Sequence, residues 1–150
     1  FAKKGPVHIN APFEEPLYET VSELEVQPYI STLKVDAAKA EDLTPFADIW
    51  SQSSKKMILV GVNDPNEMDE ATINYLANDP SVVVLTETTS NLHHPSFIAN
   101  IDTLITPFAN EDFENFQPEI LITFGGMVVS KRIKAFLRKY QPKHHWHIDT

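Results

Sequence analysis

Cysteine is absent from the 150 residues of this chain. Its absence excludes disulfide-stabilised scaffolds, enzymes that use a thiolate nucleophile, and zinc sites that are built on cysteine ligands. A chain without cysteine also suits a reducing compartment, so we expect the protein to be cytoplasmic.

Long apolar runs and an excess of basic residues are lacking as well. No run of about 18 apolar residues occurs, so the sequence predicts no membrane span. Lysine and arginine number 12 against 21 acidic residues, which gives a net charge of −9. This acidity argues against a general nucleic-acid binder, which needs a basic face, and we expect no nucleic-acid partner.

The composition is otherwise that of a globular protein, with 42% hydrophobic and 22% charged residues. A chain of this length can bury one substantial core. The charge is unevenly distributed, because residues 131–150 hold six basic residues and one acid. This basic segment is either a solvated helix face or an edge that faces an anion.

After residue 43, continuous apolar runs alternate with segments whose apolar residues recur at the spacing of a helix. Continuous apolar runs suit strands that are covered on both faces of a parallel sheet. The sequence predicts strands at Met57–Val62, Ser81–Leu85, Ile120–Phe124 and His145–Ile148. It predicts helices that begin at Thr44-Pro45 and at Asp64-Pro65, and helices over residues 95–108 and 130–140. The alternation indicates βαβ units, so we expect an α/β fold: a Rossmann-like three-layer sandwich with a mostly parallel sheet.

The first 42 residues differ from the rest. Prolines recur through this acidic stretch, which favours an extended tail and linker. Val7–Asn10 is a candidate short strand. Phe1 is not an initiator methionine, and Thr150 follows a predicted strand directly. We therefore expect the chain to be a piece of a longer protein.

The clearest candidate site follows the third predicted strand. Only four glycines occur, well below the usual ~7 %, and Gly125 and Gly126 are adjacent. Ligands of open parallel sheets bind at the carboxyl ends of the strands, where glycines let backbone amides approach them closely. Ser130 can cap the next helix, and Lys131 and Arg132 are cations at its start, where the helix dipole disfavours them. A bound carboxylate or phosphate would offset that cost.

Other familiar signatures are missing. The paired glycines do not extend to the dinucleotide fingerprint or to a Walker A loop, so a usual NAD or ATP site is unsupported. His144, His145 and His147 cluster near the end, but zinc needs three or four ligands, so we expect structural or exposed roles and no metal site. No catalytic residue can be assigned from spacing alone.

Three strings resemble one enzyme family. They are GPVHINAPFEEPL at residues 5–17, ITFGGMVVSKR at residues 122–132 and HWHID at residues 145–149. They are similar to segments of the 2-succinyl-5-enolpyruvyl-6-hydroxy-3-cyclohexene-1-carboxylate synthases, the thiamine-diphosphate-dependent enzymes of menaquinone synthesis. Ala11 and Glu14 depart from the pattern of this family, in which we expect Val and often Arg at these positions.

The resemblance implies a three-domain parent protein that forms a homo-oligomer. Residues 1–16 would be the tail of a preceding thiamine-pyrimidine-binding domain, residues 17–42 an extended linker, and residues 43–150 an α/β middle domain. The first and third domains of this family hold thiamine diphosphate and Mg²⁺ across a dimer interface. The Gly-Asp-Gly motif of the third domain is absent here, so we expect neither cofactor in this chain.

The resemblance also implies substrates. The parent would decarboxylate 2-oxoglutarate and add the succinyl unit to isochorismate, while this domain alone would be inactive. Lys131 matches a substrate-contacting lysine of the family, and we expect Gly125, Gly126, Ser130 and Arg132 to complete a substrate-carboxylate site. Two alternatives remain: a module that binds FAD, NAD or CoA, and a regulatory domain that senses a metabolite through the basic segment.

Overall fold

The computed structural model describes residues 8–15, 18, 20, 22–23, 27, 29 and 42–148. The chain divides into two units, Phe1–Glu41 and Asp42–Thr150. The described residues of the first unit contain no helix or strand, so His8, Ile9 and Asn10 do not form the expected strand. Val7 and most of the predicted linker lie outside the described residues, and the domain boundaries stay a prediction.

The second unit is an α/β domain. Its helices are α1 (Thr44–Gln52), α2 (Glu70–Asn78), α3 (Ile101–Ile105), α4 (Asn110–Phe116) and α5 (Lys131–Lys139), with a 3-10 helix at Thr88–Ser90. Its strands are β1 (Lys56–Val60), β2 (Val82–Leu85), β3 (Ile120–Phe124) and β4 (His144–Ile148). The four strands are parallel in the order β2-β1-β3-β4, which confirms the predicted fold class.

Strand β1 shows why the sheet has helices on both faces. All five of its residues are buried. Met57 and Leu59 face one apolar cluster, which includes residues of α3 and α5, with aromatic residues of α4 packed against it. Ile58 and Val60 face a second cluster, which takes Leu76 of α2 and has Trp50 of α1 packed against it. The strand alternation therefore divides one continuous apolar run between two interfaces, and the result is three layers.

The strand register brings the carboxyl ends of the sheet together. Val60 pairs with Phe124, and Phe124 pairs with Ile148. On the other side of β1, Leu59 pairs with Leu85. The residues that follow β1, β2 and β3 therefore meet at one edge, which we call the carboxyl edge.

Two helix starts differ from the prediction. Helix α1 has Leu43 rather than Thr44 at its N-cap, and the Thr44 amide donates to Asp42 Oδ1 at 3.0 Å. Helix α2 begins at Glu70, not near Asp64, because Asp69 caps it. The Asp69 carboxylate accepts the Thr72 amide at 2.8 Å and the Thr72 hydroxyl at 2.9 Å, so this residue satisfies one free backbone donor of the first turn.

The helix predicted over residues 95–108 is wrong for its first half. Only Ile101–Ile105 is helical, as α3. Ile98 instead forms a parallel bridge with Leu85: its amide donates to the Val84 carbonyl, and its carbonyl accepts the Thr86 amide, both at 2.9 Å. Backbone pairing with the outer edge of β2 therefore keeps Ile98 extended.

The missed helix α4 supplies aromatic residues to the core. The ring centroids of Phe113 and Phe116 lie 5.5 and 5.6 Å from that of Phe136 in α5. The Phe113 ring stacks on Tyr140, with 5.8 Å between the centroids. Phe136 is only 5% exposed. These contacts fix α5 against the sheet, and α5 carries the candidate site at its start. No helix of the described residues is long and apolar enough to cross a bilayer.

Candidate functional site

The predicted site residues lie at the carboxyl edge, in the turn between β3 and α5. Gly125 and Gly126 follow β3 directly, Ser130 is the N-cap of α5, and Lys131 and Arg132 open the helix. The structure thus places them in one turn at the carboxyl ends of parallel strands, where α/β proteins bind ligands.

The paired glycines allow two chain segments to approach closely. Gly125 has a φ of +76°, in the left-handed region that favours glycine. The Gly126 amide donates to the Val62 carbonyl at 2.7 Å, and the Val62 amide donates to the Met127 carbonyl at 3.1 Å. The turn after β3 is therefore paired with the segment after β1, and the Gly126 amide already has a partner.

Ser130 caps α5 as its sequence position predicted. Its Oγ accepts the Ile133 amide at 3.2 Å. The same hydroxyl donates to Asp102 Oδ1 of α3. Because the hydroxyl proton goes to Asp102 while a lone pair takes the amide, Ser130 links the starts of two helices.

A residue that the sequence analysis missed, Glu87, occupies the start of α5. Its Oε2 accepts the Val129 amide at 2.7 Å, and its Oε1 accepts the Ser130 amide at 2.6 Å. The backbone amide of Glu87 donates to Ser90 Oγ at 2.9 Å, and the fully buried Ser90 donates to the Val60 carbonyl at 2.7 Å. One carboxylate therefore connects the ends of β1 and β2 to the turn after β3.

This carboxylate decides which anions the turn can take. The amides of Val129 and Ser130, which could have bound a phosphate, are both used. A diphosphate at this place would also meet the negative charge of Glu87. The Val129 and Ser130 amides are therefore closed to thiamine diphosphate and to the phosphates of a dinucleotide. Among all described residues, no group of three histidines or carboxylates is arranged to hold a metal ion.

The side chains of Lys131 and Arg132 remain available to bind a ligand. Both are exposed, and neither forms an ion pair or hydrogen bond with any described residue. Arg132 lines a cavity of about 280 Å³ beside α4, together with Asn110 and Phe113. By contrast, Lys134 donates to the Val128 carbonyl at 3.0 Å and so holds the turn.

Exposed apolar side chains surround the same turn. Met127 and Val129, which precede Lys131, are 70% and 55% exposed, and Val62 opposite them is 43% exposed. We call these three residues the apolar rim. Exposed apolar residues therefore directly precede the exposed cations in the chain, a combination that suits a ligand with a carboxylate and a hydrocarbon body.

The histidines of β4 form a polar cluster around Thr123 of β3, and His145 lines a cavity together with Val128 of the turn. His145 and His147 share one strand face, and both contact the Thr123 hydroxyl, through Nε2 at 3.0 Å and Nδ1 at 2.9 Å. Two imidazoles fall short of the three protein ligands of a typical zinc site. A further histidine pair, His93-His94, precedes α3, and His94 Nδ1 accepts the Ser96 amide at 3.1 Å, which is a local turn contact.

Two carboxylates with lowered pKa lie at the amino ends of the strands. Hydrogen bonding from Lys143 and from the Ser54 amide lowers the pKa of Glu119 to about 2. The Ser81 hydroxyl and amide lower the pKa of Asp79, which also pairs with the buried Lys56 at 3.5 Å. These groups stabilise the edge opposite the candidate site.

Comparison with known proteins gives one family. A family model for the "Middle domain of thiamine pyrophosphate" matches residues 24–150. Curated relatives that carry the name 2-succinyl-5-enolpyruvyl-6-hydroxy-3-cyclohexene-1-carboxylate synthase include proteins of Flavobacterium johnsoniae, 62% identical over 99% of this chain, and Christiangramia forsetii, 50% identical over 99%. A protein of the same name from Porphyromonas gingivalis is 32% identical over 98%.

The chain spans only about a quarter of these relatives. The matched region is 27% of the Flavobacterium johnsoniae and Christiangramia forsetii proteins and 26% of the Porphyromonas gingivalis protein. The relatives therefore contain other domains. The resemblance that the three sequence strings indicated is confirmed.

Proposed function

The chain belongs to the family of middle domains of thiamine pyrophosphate enzymes, and from this premise we propose that it contributes a substrate-carboxylate contact to a 2-succinyl-5-enolpyruvyl-6-hydroxy-3-cyclohexene-1-carboxylate synthase. The full-length enzyme would release the carboxylate next to the keto group of 2-oxoglutarate as CO₂ and join the remaining succinyl unit to isochorismate. Thiamine diphosphate, with Mg²⁺, supplies the decarboxylation chemistry when it is bound. Other domains of the parent protein hold both groups, and this chain alone is inactive.

The observation that carries the proposal is the unpaired Lys131 at the carboxyl edge. Its ammonium group is exposed and makes no ion pair with a described residue. Both proposed substrates carry carboxylates, and isochorismate adds a cyclic hydrocarbon body that suits the apolar rim. A lysine that meets a carboxylate in a site closed to water binds it more strongly than one at an open surface.

The contact is assigned to side chains rather than to the amides of Val129 and Ser130. Since Glu87 takes the amides of Val129 and Ser130, a substrate carboxylate meets the Lys131 ammonium, with Arg132 as the neighbouring second cation. Gly125, Gly126 and Ser130 shape the turn that presents these cations. Their contribution is positional, because the Gly126 amide and the Ser130 hydroxyl already have protein partners.

The parent enzyme is proposed to be a cytoplasmic homo-oligomer. The absence of cysteine suits a reducing compartment. The exposed apolar rim beside free cations favours a carboxyl edge that is covered by other parts of the assembly rather than by water.

The test is Lys131→Ala in the full-length enzyme. We expect the KM for isochorismate or for 2-oxoglutarate to rise by about ten-fold or more, since a charge-assisted contact is lost. Lys139→Ala is the matched control, because Lys139 lies on the same helix at its other end, over the Tyr140 ring. Unchanged KM values for both substrates would show that the proposed contact is wrong.

A thermal-shift panel on this chain tests the nucleotide-binding alternative. A ligand at 100 times its Kd raises the free energy of unfolding by about 2.7 kcal/mol, which is easily detected. We expect no shift with FAD, NAD or CoA. A clear shift with any of them would favour a nucleotide-binding module over the proposed function.

A further inference from the structure

Glu87 is placed to control the geometry of the Lys131 turn without touching Lys131. Its two carboxylate oxygens accept the amides of Val129 and Ser130 at 2.7 and 2.6 Å, and these are the two residues that precede Lys131. No described contact joins the Glu87 carboxylate to the Lys131 ammonium. The carboxylate therefore fixes the backbone while it leaves the cation unpaired.

The anchor of Glu87 is rigid. Its own amide is held by Ser90, whose side chain is fully buried and bonded to the Val60 carbonyl at 2.7 Å. A shift of the Glu87 backbone would break its part-buried hydrogen bond to Ser90, the residue that is bonded to the end of the central strand β1. A chain of hydrogen bonds thus connects the turn after β3 to the core of the sheet.

A second support reaches the turn from α3. Asp102 accepts the Ser130 hydroxyl, and Ser130 Oγ accepts the Ile133 amide at 3.2 Å. The residue immediately before Lys131 is therefore held by its backbone amide and by its side chain. Two acids from different segments hold one turn, and helix capping alone requires neither of them.

We propose that Glu87 is the positioning residue that sets the substrate-binding geometry of Lys131, with Asp102 as a second support. This proposal rests on the proposed function, because it assigns Glu87 a role in the same carboxylate contact. Glu87 also supplies the negative charge that the start of α5 favours. The substrate carboxylate is thereby kept from the Val129 and Ser130 amides and directed to the lysine side chain.

The chemistry of the contact requires a carboxylate. Both oxygens of Glu87 are acceptors, and each meets one N–H group. In Glu87→Gln, one oxygen becomes an NH₂ group that faces a backbone N–H, so one of the two bonds is lost and replaced by a repulsive contact. In Glu87→Asp, the side chain is one methylene shorter, and it cannot reach both amides from the same anchor.

The experiment is a double-mutant cycle in the full-length enzyme with Glu87→Gln, Lys131→Ala and the double variant. We expect Glu87→Gln to raise the KM of the same substrate as Lys131→Ala, by about ten-fold, within the range of coupling in one hydrogen-bond network. We expect the KM of the double variant to be no higher than that of Lys131→Ala alone. Displacing the turn cannot weaken a contact that the missing lysine no longer makes. The KM of the other substrate should change much less.

Glu119→Gln is the matched control. Glu119 also accepts a backbone amide, that of Ser54 at 2.7 Å, but at the opposite edge of the sheet. It should leave both KM values unchanged. If Glu87→Gln does not fold, Glu87→Asp replaces it in the cycle, and the same non-additivity is expected.

The possible failures are distinguishable. If Lys131→Ala raises a KM and Glu87→Gln does not, or if their effects multiply in the double variant, the positioning role is wrong and the lysine contact stands. If Lys131→Ala changes neither KM, the proposed function fails and the positioning role fails with it. If Glu87→Gln lowers kcat without a change in either KM, Glu87 has a general structural role and the proposal is overturned.

Discussion

Gly61 lies against the backbone of Gly126, and no side chain can fit between them. A Cβ atom built on Gly61 would overlap the Gly126 carbonyl oxygen and lie 2.8 Å from its carbonyl carbon. The Gly61 amide donates to the Phe124 carbonyl at 2.9 Å in the same place. This contact brings the end of β1 against the turn that carries Lys131.

Gly61→Ala is therefore expected to destabilise the domain strongly. The obstacle is backbone, which cannot move aside as a flexible side chain does, so we expect a loss of about 3 kcal/mol or more in the free energy of unfolding. Gly126→Ala is the control, since its Cβ would meet Val62 no closer than 3.4 Å. Urea unfolding of the three proteins measures the difference, and similar losses for both variants would contradict the close approach.

Phe136→Ala tests the aromatic contacts between α4 and α5. Phe136 is 5% exposed and has three ring neighbours within 5.6 Å. We expect a loss of about 3–5 kcal/mol, which is usual for a buried Phe-to-Ala change. Phe46→Ala should cost less than half as much, because Phe46 is 46% exposed and packs on Trp146 alone among the described rings. Equal midpoints in urea would show that the two sites are equally packed.

Asp69 is expected to determine where α2 begins. Asp69→Ala removes the acceptor of the Thr72 amide and should cost about 1 kcal/mol, whereas Asp69→Asn keeps an acceptor and should cost less. Thermal unfolding of the two variants measures this difference. An Asn variant as unstable as the Ala variant would indicate that Asp69 acts through its charge rather than as a cap.

Acid sensitivity should depend on Glu119. Its pKa is about 2 in the folded chain against an ordinary value of 4.5, because Lys143 and Ser54 donate to the carboxylate. As pH falls below 4.5 the unfolded state binds the proton first, so the stability from Glu119 is complete above that value and lost by about pH 2. We expect the free energy of unfolding to fall more steeply over this range in the wild type than in Glu119→Gln.

Lys143→Met should give an intermediate slope in the same titration. It removes the largest cause of the lowered pKa and leaves the Ser54 amide in place. Parallel curves for the wild type and Glu119→Gln would mean that other carboxylates determine the acid limit.

The fold could be predicted largely because its strands are buried on both faces. Such strands give continuous apolar runs, and Met57 to Val60 is one that no amphipathic helix would produce. The error at residues 95–98 has the same origin. Phe97 packs with Ile58 and Val60, while Ile98 packs on the cluster of Met57 and Leu59, so these neighbours face opposite sides. When a segment is only a few residues long, its pattern of apolar residues fits both this extended arrangement and a helix.

The candidate site could be predicted only in part. Ser130 was found because a cap is a local feature, since its partner Ile133 is three residues away. Glu87 was missed because its partners are 42 and 43 residues away, and only the strand order brings them together. The available signal was its position two residues beyond β2, at the edge where the strands of an α/β sheet present functional groups.

The bridge between Leu85 and Ile98 also affects how the sheet behaves toward other molecules. It covers the outer side of β2 at its carboxyl end, whereas within the described residues β4 pairs with β3 alone. An uncovered strand offers unpaired N–H and C=O groups to any extended peptide, including another copy of the same strand. Self-association of this chain in a concentrated solution should therefore proceed through His144–Ile148, while the carboxyl end of β2 at Val84 and Leu85 remains protected.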